Sequence, residues 1–347
     1  MSETTDTEHK QNQTTGADHG QNQTTETDYD HDVVIVGGGP AGCSAGVFTA
    51  REGLDTVIFD RGRSSVLRCA HLENYLGFPE GIDIETLYEL MHAHAENAGC
   101  DIVPNLVESV DKTDDDDGFV VTPQEGTPVT TRRVVAATRY DGEYMRGLGD
   151  DAAMFETYEH DDEEHERFDR GYADDDGTTS VSGLYVASPS EEADKQAIIA
   201  AGRGARVARR VVTDARIDDG WWEEVAGGVD WVRRQAELDE KWAEREAWVE
   251  WFDDYYGEGA PVDIDSERFR RVREASTDAS LSSYITPEEM EARAETGHET
   301  LAEHLDAETV VAAVGEEELL DAIADDSIRE YIGTDGQSVE GDEQHGE

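Results

Sequence analysis

The chain has 347 residues, enough for one large domain or two modest ones, and its 83 acidic and 28 basic residues give a formal net charge of −55. Such self-repulsion destabilises a compact state unless counter-ions screen it, so we expect a protein of a salt-rich cytoplasm. A disordered acidic chain is disfavoured, because 37% of the residues are hydrophobic and the apolar segments are periodic.

The same composition argues against two classes of partner. An acidic surface without a basic patch repels phosphate, which argues against a nucleic-acid partner. No apolar run reaches about 18 residues, which argues against a membrane span. The amino terminus is polar and acidic, unlike a secretory signal, so a cytoplasmic location is expected.

The three cysteines, Cys43, Cys69 and Cys100, lie far apart in the sequence. Because no CxxC is present, the sequence predicts neither an adjacent redox pair nor a zinc knuckle. We predict no metal site.

Composition along the chain divides it into four parts. Residues 1–30 repeat "QNQTT" and lack apolar residues, so a disordered acidic tail is predicted, and 336–347 form a second disordered tail. Residues 31–214 are predicted to form a Rossmann-like domain with a solvated acidic excursion at 151–180. Residues 215–335 are predicted to form a helical C-terminal extension.

Within the first domain the pattern changes from strand to helix and back to strand. A helix is then predicted over 84–98, and a hairpin is followed by a buried strand at Val134–Ala137. "SGLYVAS" at 182–188 predicts another short strand, and a helix is predicted from Lys195 to Val212.

Aromatic and aliphatic residues recur at helical spacing in the extension. We predict that they form a packing face; they are Trp231, Leu238, Trp242, Val249 and Phe252. "TPEE" at 286–289 predicts a helix start, with Thr286 as the cap and Pro287 in the first turn.

The stretch "DVVIVGGGPAG" predicts a phosphate-binding turn between a strand and a helix. Gly37 allows the tight turn, Gly39 lets the backbone approach a pyrophosphate, and Gly42 permits close contact between helix and strand. Asp60 ends the next strand, where a carboxylate accepts hydrogen bonds from ribose hydroxyls. The turn alone does not separate NAD from FAD.

Two later blocks favour FAD. "LENYLGFPEGIDIETLYELMHAHAENAGCDIV" at 72–103 and "SGLYVASPSEEADKQAIIAAGRGARVARRVV" at 182–212 resemble the low-molecular-weight thioredoxin reductases. The resemblance covers about 32–149 and 182–212. It implies an α/β fold, with a Rossmann-like FAD-binding domain of parallel sheet and helices in three layers, plus the acidic α-helical C-terminal extension.

The resemblance also implies the residues that bind FAD. The glycine turn and the acid would bind its ADP half, Asn74 would lie beside the flavin, and Val107 would present its backbone to adenine. The segment that begins at Lys195 would face the isoalloxazine. The implied cofactor-binding residues are Gly37, Gly39, Pro40, Ala41, Gly42, Asp60, Asn74, Val107, Thr138, Ser188, Lys195, Gln196 and Ala197.

The chain departs from that family at three places. Arg139 stands where the family has the glycine of an Ala-Thr-Gly turn, and a left-handed Arg would be strained. Ser188 stands where the family has a ribitol-binding aspartate, so a neutral hydroxyl replaces a charged acceptor. Only some 40 residues, rich in acidic side chains, separate Arg139 from Gly183, where the family carries an NADPH-binding domain with its CxxC.

Candidates for chemistry are few. Cys69 and His71 flank the segment that in the family passes near the flavin ring, so a role in redox or proton transfer is a hypothesis. Cys43 begins the phosphate-binding helix and is expected to pack between helix and sheet. His92 and His94 diverge on their helix, and we expect both to lie on a solvated face.

We therefore favour an FAD-dependent oxidoreductase of thioredoxin reductase descent. Its electrons would come from a small-molecule or protein donor, the Trp-rich helices would cover surface left by the missing domain, and the resemblance allows a homodimer. The alternative is a non-catalytic nucleotide-binding or scaffolding module with a degenerate flavin site. A protein that binds NAD at the same turn is a third interpretation, and it leaves the two later blocks unexplained.

Overall fold

The structure is a computed structural model that describes residues 29–114, 116–139, 141–160, 163–190, 193–228 and 231–335. The predicted tails fall outside these ranges, except at 29–30. There the Asp30 carboxylate accepts hydrogen bonds from the amide and the hydroxyl of Thr130, at 2.8 and 2.9 Å. The first domain therefore begins before residue 31, and the predicted disordered tail is wrong at this end.

Strands and helices alternate through the first half of the chain, and helices dominate the second half. The strands are β1 (His31–Val36), β2 (Thr56–Phe59), β3 (Asp101–Val103), β4 (Val107–Lys112), β5 (Phe119–Pro123), β6 (Val129–Ala136), β7 (Phe155–His160), β8 (Glu163–Phe168), β9 (Leu184–Val186), β10 (Arg233–Arg234) and β11 (Tyr284–Ile285). The helices are α1 (Pro40–Arg51), α2 (Ile84–Ala98), α3 (Asp151–Met154), α4 (Ala197–Asp218), α5 (Glu223–Ala226), α6 (Arg245–Tyr256), α7 (Glu267–Ser282), α8 (Pro287–Glu303), α9 (Ala307–Val314), α10 (Glu316–Ala322) and α11 (Asp325–Asp335).

A single sheet organises the first domain. Its order is β3-β2-β1-β6-β5-β4, and β9 pairs with the last residues of β6. The strands β3, β2, β1, β6 and β9 run parallel, whereas β4 and β5 form an antiparallel hairpin beside β6. Continuous apolar runs such as "VVIV" in β1 are typical of parallel strands covered on both faces.

Two hydrophobic layers cover the parallel strands. On one face Val33 and Ile35 pack with residues of α1, α2 and α4. On the other face Val34 and Val36 pack with the β4–β5 hairpin and with the segment that leads to β9. The predicted fold class is confirmed, since a parallel-dominated sheet with helices is followed by a helical extension.

Two predictions for the middle of the chain need correction. The hairpin and the buried strand predicted after it share one strand, β6, whose first half pairs with β5 and whose second half pairs with β9. Residues 151–180 are not a wholly solvated excursion, because β7 and β8 form a hairpin. Its end residues Phe155 and Phe168 are buried in the core, and acidic residues fill the strands between them.

The two predicted long helices of the first domain are present. The bounds of α2 match the prediction, and Asp83 caps it by accepting a hydrogen bond from the amide of Thr86. The other, α4, begins two residues after Lys195 and continues six residues beyond Val212. The salt bridge from Arg210 to Asp214 supports the added turn.

The predicted packing face of the extension is wrong. Its residues fall on different elements, Trp231 is 62% exposed, and Phe252 alone among them is buried. The helical spacing predicted one continuous face, but β10 and short 3₁₀ turns interrupt the segment before α6. The small core that does form consists of Trp222, Val225, Phe252, Phe269 and Val272.

The last four helices, α8 to α11, differ from the earlier helices in how little of their surface is buried. The predicted start of α8 is confirmed, because Thr286 and Glu289 form a reciprocal capping box. None of the side chains described between 287 and 333 is buried. Within the described residues, no helix combines the length and the apolar character needed to cross a membrane.

Candidate functional site

The glycine turn joins β1 to α1 at the carboxyl end of the parallel strands. Gly37 has a φ of +114°, which an L side chain rarely adopts. A Cβ at Gly42 would lie 1.7 Å from the carbonyl oxygen of Gly37, so only glycine lets the helix approach the strand this closely. The turn therefore has the geometry that its spacing predicts.

The amino terminus of α1 offers unsatisfied donors. Gly39 is the cap residue, makes no side-chain cap, and is followed by Pro40 at the first helical position. The amides of a first helical turn have no partner within the helix, and the helix dipole adds partial positive charge there. This end of α1 therefore suits an anion such as a diphosphate.

One cavity joins the turn to the start of α4. Its volume is about 480 Å³, within the range of small-molecule sites. It is lined at one end by Gly37 to Ala41, and at the other by Lys195, Gln196 and Ala197. The two segments that the sequence assigns to the two halves of one dinucleotide therefore border the same cleft. No described residue beyond Ala200 lines it, so the Trp-rich helices do not line this cavity, and their expected cover of the surface beside it stays a prediction.

The charge of this cavity is opposite to that of the whole chain. Among the described residues, five basic and three acidic side chains line it, a net charge of +2 in a chain of −55. They are Arg61, Arg63, Arg68, Arg139, Lys195, Asp60, Asp141 and Asp194. This excess matches the two negative charges of a diphosphate, so the residues present fit a dinucleotide.

Asp60 lines the cavity next to the turn. Its carboxylate is buried, with Oδ1 accepting the amide of Gly62 at 3.1 Å. Oδ2 accepts the hydroxyl of Tyr88 and lies 3.3 Å from Nε2 of His92. Burial alone would raise the pKa of Asp60, but the hydrogen bonds from His92, Tyr88 and Gly62 outweigh it and lower this pKa.

The prediction of a solvated His92 is wrong. Its Nε2 lies 3.0 Å from the carbonyl oxygen of Gly38, a distance that requires the N–H to donate, and the thiol of Cys43 donates to the same oxygen at 3.2 Å. The hydrogen bond to Asp60 raises the pKa of His92 to about 10, so the ring is protonated at neutral pH. His94 is exposed, as expected. The sequence signal for His92 was its position one turn after Tyr88.

At the opposite end of the cavity, Asn74 and Gln196 meet although 122 residues separate them. Asn74 Nδ2 donates to Gln196 Oε1 at 2.8 Å. Asn74 itself is exposed and is not among the residues that line the cavity, whereas Gln196 is. The amide of Asn74 therefore orients Gln196 at the start of α4.

The two substituted positions, Arg139 and Ser188, contact each other. Arg139 has a φ of +69°, in the left-handed region that the sequence analysis described as strained. Its amide donates to the Ser188 hydroxyl oxygen at 2.9 Å, and that hydroxyl donates to the carbonyl of Ala136 at 3.4 Å. Ser188 is buried and is not among the cavity residues, so its hydroxyl supports the backbone instead of facing a ligand.

The other predicted residues divide between the cavity and the surface. Val107, Thr138 and Cys69 line the cavity. His71 does not, since its ring packs over Gly81 and lies 4.0 Å from the carboxylate of Glu73.

Sequence reasoning missed Ser64, whose hydroxyl lies 2.7 Å from where a Cβ of Gly39 would stand. The serine therefore faces the turn. No local pattern could reveal it, because the contact depends on how the chain returns after β2.

No group of three or more His, Cys, Asp or Glu side chains in the described ranges is arranged to hold a metal ion.

A Rossmann-like sheet, a glycine turn and an elongated cavity with net positive charge define a dinucleotide-binding protein. Residues 31–167 match the family model of the pyridine nucleotide-disulphide oxidoreductases. The chain is 35% identical over 121 residues to a thioredoxin reductase of Streptomyces clavuligerus, covering 34% of this chain and 36% of that protein. It is 38% identical over 81 residues to a thioredoxin reductase of Rickettsia conorii, covering 23% and 26%.

The similarity therefore spans about a third of the length of the first of these curated relatives. A solved thioredoxin reductase from Gloeobacter violaceus is 20% identical, covers 59% of this chain and 98% of that one, and has a TM-score of 0.45. The predicted resemblance is confirmed for the nucleotide-binding region, which is similar in sequence to the pyridine nucleotide-disulphide oxidoreductases and to thioredoxin reductases.

Proposed function

We propose that the chain is an FAD-dependent oxidoreductase that receives electrons from a diffusible or protein donor. The observation that carries this proposal is the single cavity of about 480 Å³ that connects the glycine turn to the start of α4. A cavity bordered by both segments, with net positive charge in a strongly acidic chain, suits a dinucleotide better than a mononucleotide.

The chain's own residues divide the binding of FAD between them. The amides at the start of α1 and the Ser64 hydroxyl would bind the diphosphate, and Asp60 would accept a hydrogen bond from the adenosine ribose. Gln196, oriented by Asn74, would lie at the isoalloxazine, where the positive end of α4 favours negative charge. When bound, FAD supplies reversible two-electron transfer.

The segment between Arg139 and Gly183 supports an external donor. Its described residues form α3 and the β7–β8 hairpin, with loops on either side. A second nucleotide-binding fold needs at least one βαβ unit of about 30 residues or more, and these elements do not supply one. This segment also contains no CxxC, because the chain's three cysteines lie at 43, 69 and 100.

The spectrum of the full chain, purified in molar KCl, tests the cofactor assignment. We expect a yellow protein with flavin absorption at about 450 nm. This absorption should bleach when a reductant is added, because FAD is the group that accepts the electrons. A colourless protein that gains no absorption on addition of FAD contradicts the proposal.

A pair of glycine substitutions locates the flavin. In Gly39→Ala the new methyl group displaces only the Ser64 side chain but narrows the approach to the α1 amides, so FAD content should fall about tenfold or more. In the control, Gly259→Ala, the methyl group meets nothing within 4 Å, so FAD content should be unchanged. Equal FAD content in the two variants would place the cofactor elsewhere.

Anaerobic rapid mixing tests the source of electrons. Because the described residues between Arg139 and Gly183 form no βαβ unit, we expect the rate of flavin reduction by NADPH or NADH to rise linearly with donor concentration. Saturation at micromolar donor would reveal a built-in site for the nicotinamide cofactor and contradict the external donor.

One observation favours a second candidate, a non-catalytic nucleotide-binding or scaffolding module. The Ser188 hydroxyl accepts the amide of Arg139 and donates to the carbonyl of Ala136, so it needs no ribityl chain as a partner. This candidate predicts a colourless protein whose melting temperature rises with ADP or NAD and not with FAD. A homodimer and a cytoplasmic location stay predictions, to be checked by light scattering in molar KCl and by cell fractionation.

A further inference from the structure

Behind the cavity, helix α2 contacts the acid that ends β2. Tyr88 and His92 are one helical turn apart, with ring centroids 4.3 Å from each other. Both direct a polar hydrogen at the same carboxylate oxygen, Oδ2 of Asp60. Two donors from α2 thus hold one oxygen of the carboxylate of Asp60, a residue that lines the cavity.

The two oxygens of Asp60 are unequally occupied. A carboxylate offers about four acceptor positions, two on each oxygen. Among the described residues, Tyr88 and His92 fill those of Oδ2, whereas Oδ1 accepts one hydrogen bond, from the amide of Gly62. One acceptor position therefore remains, and it lies on Oδ1.

His92 also contacts the glycine turn itself. Its Nε2–H is shared between Asp60 Oδ2 and the carbonyl oxygen of Gly38, to which the Cys43 thiol donates as well. Gly38 has no room for a side chain, because its Cβ would lie 2.6 Å from the Cβ of Asp60. One imidazole thus connects the phosphate-binding turn to the acid beside it.

We propose that Tyr88 and His92 are positioning residues that clamp Asp60, so that Oδ1 alone is presented to a ribose hydroxyl of the bound adenosine nucleotide. The clamp makes the site selective for a ribose with that hydroxyl. A buried acceptor with a single open position discriminates strongly against an analogue that lacks the donor, since the acceptor is then left without a partner.

This inference rests on the proposed function only in requiring an adenosine nucleotide in the cavity. The test therefore uses ADP, which lacks the flavin, with 2′-deoxy-ADP and 3′-deoxy-ADP as probes. Calorimetry on the full chain in molar KCl, freed of bound nucleotide, gives the three dissociation constants. We expect the wild type to bind one of the two deoxy analogues about tenfold more weakly than ADP.

Three variants and a control distinguish a positioning role of Tyr88 and His92 from a general structural role. Tyr88→Phe keeps the ring and removes the donor, and His92→Phe removes the second donor. Each should reduce the tenfold preference for ADP to about threefold or less. His94→Phe, two residues away on an exposed position, should leave the preference unchanged. His92→Gln, which retains an N–H donor, should restore part of it.

The outcomes are distinct. If the variants weaken ADP and its deoxy analogues by the same factor, Tyr88 and His92 serve only the fold and the clamp is overturned. If the wild type does not distinguish ADP from either deoxy analogue, Asp60 is not the ribose acceptor and the clamp is overturned too. A protein that retains FAD while failing these comparisons leaves the proposed function intact. One that binds neither FAD nor ADP overturns both.

Discussion

The nucleotide-binding region and the extension use their apolar residues in opposite ways. The first covers both faces of a sheet with buried side chains, whereas the second buries five residues in one small cluster. Beyond Pro287 no described side chain is buried, although Leu301, Leu305 and Ile323 are large and apolar. Helical patterning in this chain therefore predicts helices, and it does not by itself predict a core.

The helices of the extension are supported by local signals. Thr286 and Asp306 cap α8 and α9 by accepting hydrogen bonds from first-turn amides. Acidic residues in those first turns interact favourably with the helix dipole. In the first region, by contrast, tertiary contacts decide which residues are tolerated.

A glycine-to-alanine substitution should destabilise the first region and stabilise the extension. This is the largest difference that we expect. A Cβ at Gly204 in α4 would lie 2.0 Å from the carbonyl oxygen of Ala41 in α1, so Gly204→Ala should lower the free energy of unfolding by about 4 kcal/mol or more. Gly297 in α8 has open space around it, so Gly297→Ala should raise helix stability by up to about 1 kcal/mol.

Urea unfolding in molar KCl, followed by circular dichroism, measures both effects. Equal effects of the two glycine substitutions would mean that α1 and α4 are not packed as closely as the structure shows.

Truncation of a side chain in the small core of the extension should have the next largest effect on the free energy of unfolding. Phe252 is 1% exposed and packs edge-to-face against Trp222 and Phe269, so Phe252→Ala should lower the free energy of unfolding of the extension by about 3 kcal/mol. Tyr255, 69% exposed on the same helix, is the matched control, and Tyr255→Ala should change it little. Tryptophan fluorescence during thermal unfolding reports the effect, and nucleotide affinity should be the same in both variants.

The contribution of His92 to stability should depend on pH. The pKa of His92 is raised from 6.5 to about 10 in the folded chain, so its stabilisation is complete below pH 6.5 and disappears as the pH rises through 10. Asp60, Tyr88 and Cys43 are the titratable groups that face the ring. Asp60 is ionised throughout this range, because its pKa is lowered, and Tyr88 stays protonated, because burial and Asp60 raise its pKa.

The difference in unfolding free energy between wild type and His92→Phe should therefore be about 1–2 kcal/mol at pH 6 and approach zero above pH 10. Urea titrations at the two pH values measure it. A difference that is independent of pH would mean that the imidazole is neutral in the folded protein.

Removal of α8 to α11 should have the smallest effect. Since no described side chain between 287 and 333 is buried, a chain that ends at Thr286 should keep the melting temperature of the nucleotide-binding region within about 1 °C of the full chain. Differential scanning calorimetry in molar KCl tests this. A larger fall would show that these helices pack on the first region.

Several features of the site could be predicted from local sequence. Gly37 and Gly42 were identified because a strand, a tight turn and a helix in this register need glycine at those positions. The left-handed conformation at Arg139 was foreseen from the expected glycine at that place in the turn. The helix starts at Asp83 and Thr286 follow from residue types that accept hydrogen bonds from first-turn amides.

Other features depended on packing between distant segments. His92 looked like one of two solvated histidines, yet it reaches the glycine turn 54 residues earlier in the chain. The aromatic residues near Trp242 suggested one continuous face, which the intervening turns break. Ser188 was expected to replace the aspartate that binds the ribitol, but its hydroxyl instead accepts a hydrogen bond from the amide of Arg139.

The sequence by itself determined the strand–turn–helix unit at the start of the first domain, the bounds of α2, the shape of the glycine turn and the acidic character of the whole chain. These depend on backbone conformation, local hydrogen bonds and charge, which neighbouring residues decide. Only the tertiary structure decided which side chains contact the Asp60 carboxylate, which hydroxyl accepts the Arg139 amide, and that the cavity has a net positive charge. Those outcomes depend on close approach of residues that the chain separates by 28 positions or more, and on the desolvation that follows when they meet.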